Sequence, residues 1–330
     1  MKKLFFIIAL AAALFCFAAC GPAETPQKPE PKPEEPEQTV TASEETIVTL
    51  FNGSAVPQVM DSASCNIIED SGKVIVIDAG WDVKETQEGI TQFLRKKGYS
   101  KIDYLILTHA HSDHAGGMPY LIERFDIGAF YAKPCADWDM QNDPDAEKYY
   151  NAAITALQAK TNSDGSSPSV IEPKEEVTVV EIGESSRFTI CYRQAVYDGD
   201  DSMKGSDGKI DYNHFSFGVK FESVHVKAYF GGDSSDYLDP VVIGNVGKCQ
   251  IMVAPHHGTS GPYSSQSLLN EIAPSYVVVP GLNMNFGADT RARYEAIGAK
   301  IYTNEDYGTI ILTAENGEIS IKTEKNPNGQ

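Results

Sequence analysis

Three imidazoles and one carboxylate occur within six consecutive positions of the sequence. The segment reads His109-Ala110-His111-Ser112-Asp113-His114 and follows the apolar run 104–108. Neutral imidazole and carboxylate groups are the ligands that suit zinc and similar divalent cations. Because the chain has only seven histidines, an accidental cluster on a solvated loop explains this density poorly. The segment therefore predicts a metal site.

The elements that must position this segment are strands alternating with helices. Apolar runs bounded by turn residues predict strands at 47–51, 65–69, 74–78, 104–108, 177–182, 188–192, 215–221, 226–230, 249–254, 276–279, 300–303, 309–313 and 319–323. Helical periodicity predicts helices at 84–97, 117–125, 146–160, 264–272 and 290–297. The order indicates an α/β fold with mixed sheets.

Residues of the ligand type also follow other predicted strands. Asp78 ends one run, Asp233 follows another, and His256 and His257 follow a third. Active sites of open α/β sheets collect beyond the carboxyl ends of strands. We therefore expect these side chains to meet the 109–114 segment at one edge of the sheets.

The string H-x-H-x-D-H-x-G-G at 109–117 resembles the signature of the metallo-β-lactamase superfamily. Asp78-Ala79-Gly80 resembles its first motif, Gly231-Gly232-Asp233 its bridging aspartate, and Pro255-His256-His257-Gly258 its last ligand motif. Together these motifs extend over about 47–323. The resemblance implies a four-layer αββα sandwich with mixed sheets, the metallo-β-lactamase fold, for residues 46–330.

The resemblance also implies two divalent metal ions, zinc or alternatively manganese, with a hydroxide between them as nucleophile. The first ion would be bound by His109 and His111, the second by Asp113, His114 and His257, and both by Asp233. In this scheme Asp113 and Asp233 belong to the catalytic group as well as to the ligands.

Two other histidines have open roles near this site. His214 is the candidate third ligand of the first ion, in Asn213-His214-Phe215-Ser216. This segment resembles the Asn-x-x-Ser region of the branch that contains the DNA-uptake competence hydrolase domain, where Asn213 or water could complete the shell instead. His256 could donate a hydrogen bond or a proton to the leaving group, or it could be structural. His225 is expected to fill one face of a strand.

Members of that branch are linked to phosphoester cleavage, so phosphodiester hydrolysis is the first hypothesis for the reaction. Related sequences commonly carry Tyr-Gly-His-Pro where this chain reads Phe286-Gly287-Ala288-Asp289, and this chain therefore lacks a substrate-contacting histidine. Hydrolysis of a β-lactam or lactone carbonyl is the alternative, because it needs the same hydroxide. A surface binding module without turnover is the third hypothesis.

The formal charge of −19 becomes −21 if a signal peptide removes Lys2 and Lys3. Tight binding to nucleic acid depends on Lys and Arg that neutralise phosphates, so this acidity disfavours it. The expected partner is a small-molecule or phosphoester substrate.

The amino terminus predicts export and a lipid anchor. Lys2 and Lys3 precede an apolar run at 4–15, which is typical of a signal peptide, here 1–19. Phe17-Ala18-Ala19-Cys20-Gly21 resembles a bacterial lipobox, so Cys20 would carry lipid and hold the secreted protein on the outer face of the cell membrane. Residues 20–45 are a Pro/Glu-rich linker. Free secretion is the alternative.

Three smaller features leave alternatives open. Cys65, Cys135, Cys191 and Cys249 could form two disulfides or remain buried thiols. The loop 198–209 suggests calcium, but Lys204 interrupts its acidic positions and a solvated loop is favoured. Four aromatic side chains could wall the substrate pocket, although core packing is the commoner role: Trp81, Trp138, Tyr149 and Tyr150.

Overall fold

A computed structural model of the protein describes residues 45–51, 63–135 and 144–327. The first sheet is formed by β1 (Thr46–Leu50), β2 (Asn66–Asp70), β3 (Lys73–Ile77), β4 (Lys101–Ile106), β5 (Asp126–Tyr131), β6 (Ser169–Ile171), β14 (Ile310–Glu315) and β15 (Glu318–Thr323). Its strand order is β15-β14-β1-β2-β3-β4-β5-β6. The second sheet is formed by β7 (Val177–Ile182), β8 (Ser186–Cys191), β9 (Gly218–Glu222), β10 (Lys227–Phe230), β11 (Ile251–Val253), β12 (Tyr276–Val279) and β13 (Lys300–Thr303). Its order is β13-β12-β11-β10-β9-β8-β7.

The α-helices connect and cover these strands. They are α1 (Lys84–Lys96), α2 (Ser112–Ala115), α3 (Met118–Arg124), α4 (Pro144–Ala159), α5 (Gln194–Tyr197), α6 (Asp239–Val242), α7 (Gln266–Ile272), α8 (Ala288–Ala296) and α9 (Asn304–Tyr307). Within the described residues, no helix combines the length and the apolar composition that crossing a bilayer requires.

The two sheets pack against each other through largely buried apolar side chains. Phe188 of the second sheet meets the rings of Tyr104 and Tyr131 edge-on, at centroid distances of 5.4 and 5.2 Å. Helices cover the outer faces, where Ile90 and Leu94 of α1 share one side of their helix and are buried. The layers are therefore helix, sheet, sheet and helix, which confirms the predicted αββα sandwich.

Each sheet is mixed, and its parallel part delivers the candidate site. β3 and β4 are parallel with Ile77 opposite Ile106, and β10 and β11 are parallel with Phe230 opposite Val253. Because parallel strands end at the same edge, Asp78 and the 109–114 segment emerge side by side from the first sheet. Asp233 and the two consecutive histidines emerge likewise from the second.

Two strands and one histidine are among the points at which the structure differs from the sequence prediction. β5 and β6 were not predicted, because β5 begins at Asp126 and contains Gly128, which interrupts the apolar pattern. A Cβ at Gly128 would lie 2.4 Å from the carbonyl oxygen of Asp103, so the strands need glycine here. The prediction that His225 fills a strand face was wrong: the residue lies in the connection between β9 and β10 and accepts a hydrogen bond from the Asn316 backbone at 3.2 Å.

Candidate metal centre

The loop after β4 is held by Asp78, a fully buried carboxylate with a left-handed backbone (φ 62°). The backbone N–H of Thr108 donates to Asp78 Oδ1 at 2.8 Å, and the Thr108 hydroxyl lies 2.9 Å from Oδ2. His114 Nδ1 donates to the same Oδ2 at 2.7 Å. Asp78 therefore fixes both the start of the loop and the ring orientation of His114, and it turns His114 Nε2 toward the centre of the site.

Asp233 stands between the imidazoles, and its two oxygens face different pairs of them. Oδ1 lies 3.0 Å from His114 Nε2 and 3.5 Å from His257 Nε2. Oδ2 lies 3.7 Å from both His109 Nε2 and His256 Nε2. One carboxylate thus joins both halves of the site.

The ligand-type atoms form two groups that share Asp233. In each group the atoms lie within 4.8 Å of one another: Asp113, His114, Asp233 and His257 in one, and His109, His111 and Asp233 in the other. His114 Nε2 and Asp233 Oδ1 are buried at 3.0 Å, yet neither makes a hydrogen bond of acceptable geometry. Two ligand-type atoms that are close but not aligned for a hydrogen bond fit two ligands of one cation. The residues therefore fit a divalent metal pair.

Burial and mutual charge set the protonation of this cluster in the absence of cations. Burial alone would raise the pKa of Asp233, but His114 and His257 hold it well below its usual range. Burial alone would lower the pKa of His114, but Asp233 and Asp113 hold it well above its usual range. Burial keeps the pKa of His109 well below its usual value. Cation binding would therefore displace a proton from His114, whereas His109 is already neutral.

The last ligand segment has an uncommon backbone. His256 (φ 46°, ψ 48°) and His257 (φ 55°, ψ 24°) are consecutive left-handed residues, and this conformation costs about 1–2 kcal/mol for each L-residue. Gly258 follows at φ 73°, where a Cβ would lie 2.8 Å from the Phe286 ring. The turn directs His257 Nε2 to Asp113 Oδ2 at 3.0 Å and His256 to the other side of Asp233.

His214, the predicted third ligand of the first ion, does not join either group. Its ring lies edge-on against Tyr237, with centroids 4.0 Å apart, and it lines a cavity beside the site. Asn213, the residue before it, points the other way and places Nδ2 3.5 Å from His256 Nε2. The remaining predicted residues are brought together as ligand-type groups or next to them: His109, His111, Asp113, His114, Asp233, His256 and His257.

Two hydroxyl groups that the sequence analysis gave no role hold His109. Its Nδ1 lies 3.2 Å from the Thr108 hydroxyl and 3.5 Å from the Ser216 hydroxyl. Ser216 Oγ also accepts a hydrogen bond from the Asp233 backbone at 2.8 Å. The Asn-x-x-Ser pattern at 213–216 contained the signal for Ser216, because both of its polar residues face the site.

A cavity of about 680 Å³ opens beside His111. Its walls are His111, Gly205, Ser206, Asp207, Lys209, Ile210, Asp211, Tyr212, His214, Tyr237 and Pro262. The loop suspected of binding calcium thus forms part of a wall, and two of its acids make local bonds: Asp200 caps the turn at Ser202, and Asp201 pairs with Lys204 at 2.7 Å.

The remaining candidates have other placements. Tyr149 and Tyr150 pack against the core, whereas Trp138, Cys20 and the linker lie outside the described residues. Cys65, Cys191 and Cys249 are buried thiols, and none of the three forms a disulfide.

Part of the chain matches a known protein family. Residues 60–192 match the model of the metallo-β-lactamase superfamily. The chain is 35% identical over 79 residues to metallo-β-lactamase type 2 from a Bacillus species, covering 24% of this chain and 28% of that protein. It is 35% identical over 63 residues to the endoribonuclease YSH1 of Saccharomyces cerevisiae, covering 18% of this chain and 8% of that protein. The match therefore spans less than a third of each relative.

Among solved structures, the metallo-β-lactamase fold protein YhfI from Bacillus subtilis is similar with a TM-score of 0.46 and 13% identity. The alignment covers 84% of this chain and 100% of YhfI.

Proposed function

We propose that this chain, which carries a domain of the metallo-β-lactamase superfamily at residues 60–192, is a two-metal phosphodiesterase that acts on small substrates. The observation that carries the proposal is Asp233, whose two oxygens face two separate groups of ligand-type residues. A carboxylate shared in this way supports two cations rather than one.

The residues would divide between the two ions as the sequence predicted, except that the first ion lacks His214. His109 and His111 would bind one ion, Asp113, His114 and His257 the other, and Asp233 both. Divalent ions such as zinc or manganese, when bound here, would polarise a phosphoryl group and lower the pKa of a water molecule. Asp78, Thr108 and Ser216 hold the ligand rings in place for that chemistry.

The choice of a phosphoryl substrate rests on the shared carboxylate. By name, one matched relative is a β-lactamase and the other an endoribonuclease. The part of this chain that matches both therefore supports hydrolysis, but it does not decide whether the bond attacked is at a carbonyl carbon or at a phosphorus atom. Paired cations clamp both the attacking and the leaving oxygen of an in-line displacement, which favours phosphorus.

The cavity favours a small diester over a polynucleotide. Lys209 is the cation among its lining residues, and it is accompanied by Asp207 and Asp211. A nucleic-acid strand is held by several Lys and Arg side chains along its phosphates, and this wall together with the chain charge of −19 does not supply them.

Metal content and turnover together test the function. Protein without residues 1–19 and with Cys20→Ser, expressed with ample metal, should contain about two equivalents of zinc or manganese. It should hydrolyse a chromogenic phosphodiester faster than a chromogenic β-lactam, and chelation should abolish turnover. Less than about half an equivalent of metal would contradict the two-metal site, and preferential cleavage of the β-lactam would contradict the phosphodiesterase assignment.

We also propose that the protein is a secreted lipoprotein on the outer face of a bacterial cell membrane. The support is the sequence at 1–21, with Cys20 as the lipidated residue. Cys20→Ala should move the protein from the membrane fraction to the soluble fraction, whereas Cys16→Ala, directly after the apolar run 4–15, should not. A wild-type protein that is soluble outside the cell would contradict the anchor.

A further inference from the structure

The ring of His111 packs against two other rings. The ring of His109 meets it at a centroid distance of 4.6 Å and an angle of 73°, and the ring of Tyr212 lies 4.9 Å from it at 40°. The ring of Tyr212 is also 6.2 Å from that of His109. Tyr212 therefore packs against both histidines of the group that contains His109, His111 and Asp233.

Tyr212 begins a 3₁₀ turn that is tied to the ligand loop. The turn extends over Tyr212–Phe215, and the Phe215 carbonyl accepts a hydrogen bond from the buried Tyr197 hydroxyl at 2.6 Å. Just after the turn, the Phe217 N–H donates to the Thr108 carbonyl at 3.0 Å. Because Thr108 directly precedes the H-x-H-x-D-H segment, the turn and this segment have a fixed separation.

His111 is the more open member of its segment. His109 and His114 are buried, whereas His111 is half-buried and lines the cavity beside the site. A side chain with open space beside it has more rotamers within reach. Tyr212 lines the same cavity but is only 7% exposed, so its ring is a firm wall that limits the space into which His111 could turn.

We propose that Tyr212 is a positioning residue whose ring holds the imidazole of His111 in the direction that binds the first metal ion. This inference rests on the proposed function, because it needs the two-metal site. Aromatic rings at this separation attract each other in addition to excluding water. A ligand that is already held in its binding direction loses less conformational freedom when the ion binds, so the affinity is higher.

Competition with a chromophoric chelator for zinc tests the inference. Tyr212→Leu removes the ring and should weaken the binding of one zinc ion about tenfold, while the other ion keeps its wild-type affinity. Tyr212→Phe keeps the ring and should bind both ions as the wild type does. Tyr237→Leu is the matched control, because Tyr237 lines the same cavity but packs on His214, which belongs to neither ligand group. It should leave both affinities unchanged.

Combination with ligand variants shows whether the effect passes through His111. When His257→Ala has weakened the second site, Tyr212→Leu should still weaken binding of the first ion about tenfold. When His111→Ala has disabled the first site, Tyr212→Leu should not change the affinity for the second ion. General damage to the fold would lower that affinity as well.

The outcomes separate this inference from the proposed function. Unchanged affinities in Tyr212→Leu, or a loss that persists beside His111→Ala, would overturn the role of Tyr212. An equal loss in Tyr212→Phe would also overturn it, because the hydroxyl rather than the ring would then be responsible. A wild type that binds two ions in this way but hydrolyses no phosphodiester would contradict only the proposed reaction. If the wild type does not bind two ions, both fail.

Discussion

Replacing Asp78 by asparagine should weaken metal binding while leaving the protein folded. The Thr108 backbone N–H can only donate, so it keeps the amide oxygen at the Oδ1 position, 2.8 Å away. The amide NH₂ then occupies the Oδ2 position, 2.7 Å from His114 Nδ1. His114 must accept there and carry its proton on Nε2, which removes the lone pair that would bind a cation.

The expected loss follows from the role of a residue that orients a ligand. Metal affinity at the site of His114 should fall about tenfold to a hundredfold, or about 1.4–2.8 kcal/mol. Asparagine tolerates the left-handed backbone of position 78, so the metal-free protein should fold and lose only about 1–2 kcal/mol of unfolding free energy.

Competition with a chromophoric chelator measures the metal affinity, and urea unfolding of chelated protein measures the stability. Asp164→Asn is the control, because Asp164 is exposed and accepts a hydrogen bond from the Ser166 backbone in a turn. Wild-type affinity for both ions in Asp78→Asn would refute the reasoning about the His114 tautomer.

Three further predictions concern other parts of the structure. Asp233→Ala should abolish turnover and release at least one metal ion, whereas His225→Ala, in a distant turn, should leave both unchanged. Gly232→Ala should reduce metal content and melting temperature, because its Cβ would lie 2.3 Å from Ser216 Oγ. Gly98→Ala is the control for backbone strain, because Gly98 also has a positive φ (87°, against 53° at Gly232) but has open space around its Cβ position. Burial raises the pKa of Glu222, but hydrogen bonds from Lys220 and Lys227 outweigh this effect and lower the pKa to about 2. Glu222→Gln should therefore cost about 1 kcal/mol near neutral pH after solvent screening, and urea titrations should show this difference shrinking as the pH falls below about 4.5 toward 2.

The sequence predicted the site well where a strand end determines where a side chain goes. The H-x-H-x-D-H segment, Asp233 and His257 each follow a strand directly, so their convergence could be expected. His214 follows no strand: in a 3₁₀ turn the side-chain direction depends on tertiary packing, and here its ring packs on Tyr237. The prediction for His214 could not include that contact.

Other features were absent from the sequence pattern for a related reason. The paired left-handed conformation of His256 and His257 has no glycine at either position to announce it. β6 has three residues and is a strand only because it pairs with β5. Local patterns do not encode such features, which arise from the neighbours that the folded chain supplies.

The ligand residues follow strands of both sheets, so cations bound here would cross-link distant parts of the chain. His257 and Asp113, which meet at 3.0 Å, are 144 residues apart in sequence. Closing a loop of that length costs conformational entropy, and ions that bind only the closed form shift the folding equilibrium toward it in proportion to RT ln(1 + [M]/Kd). Supply of metal would then govern how long the folded protein persists as well as how fast it works.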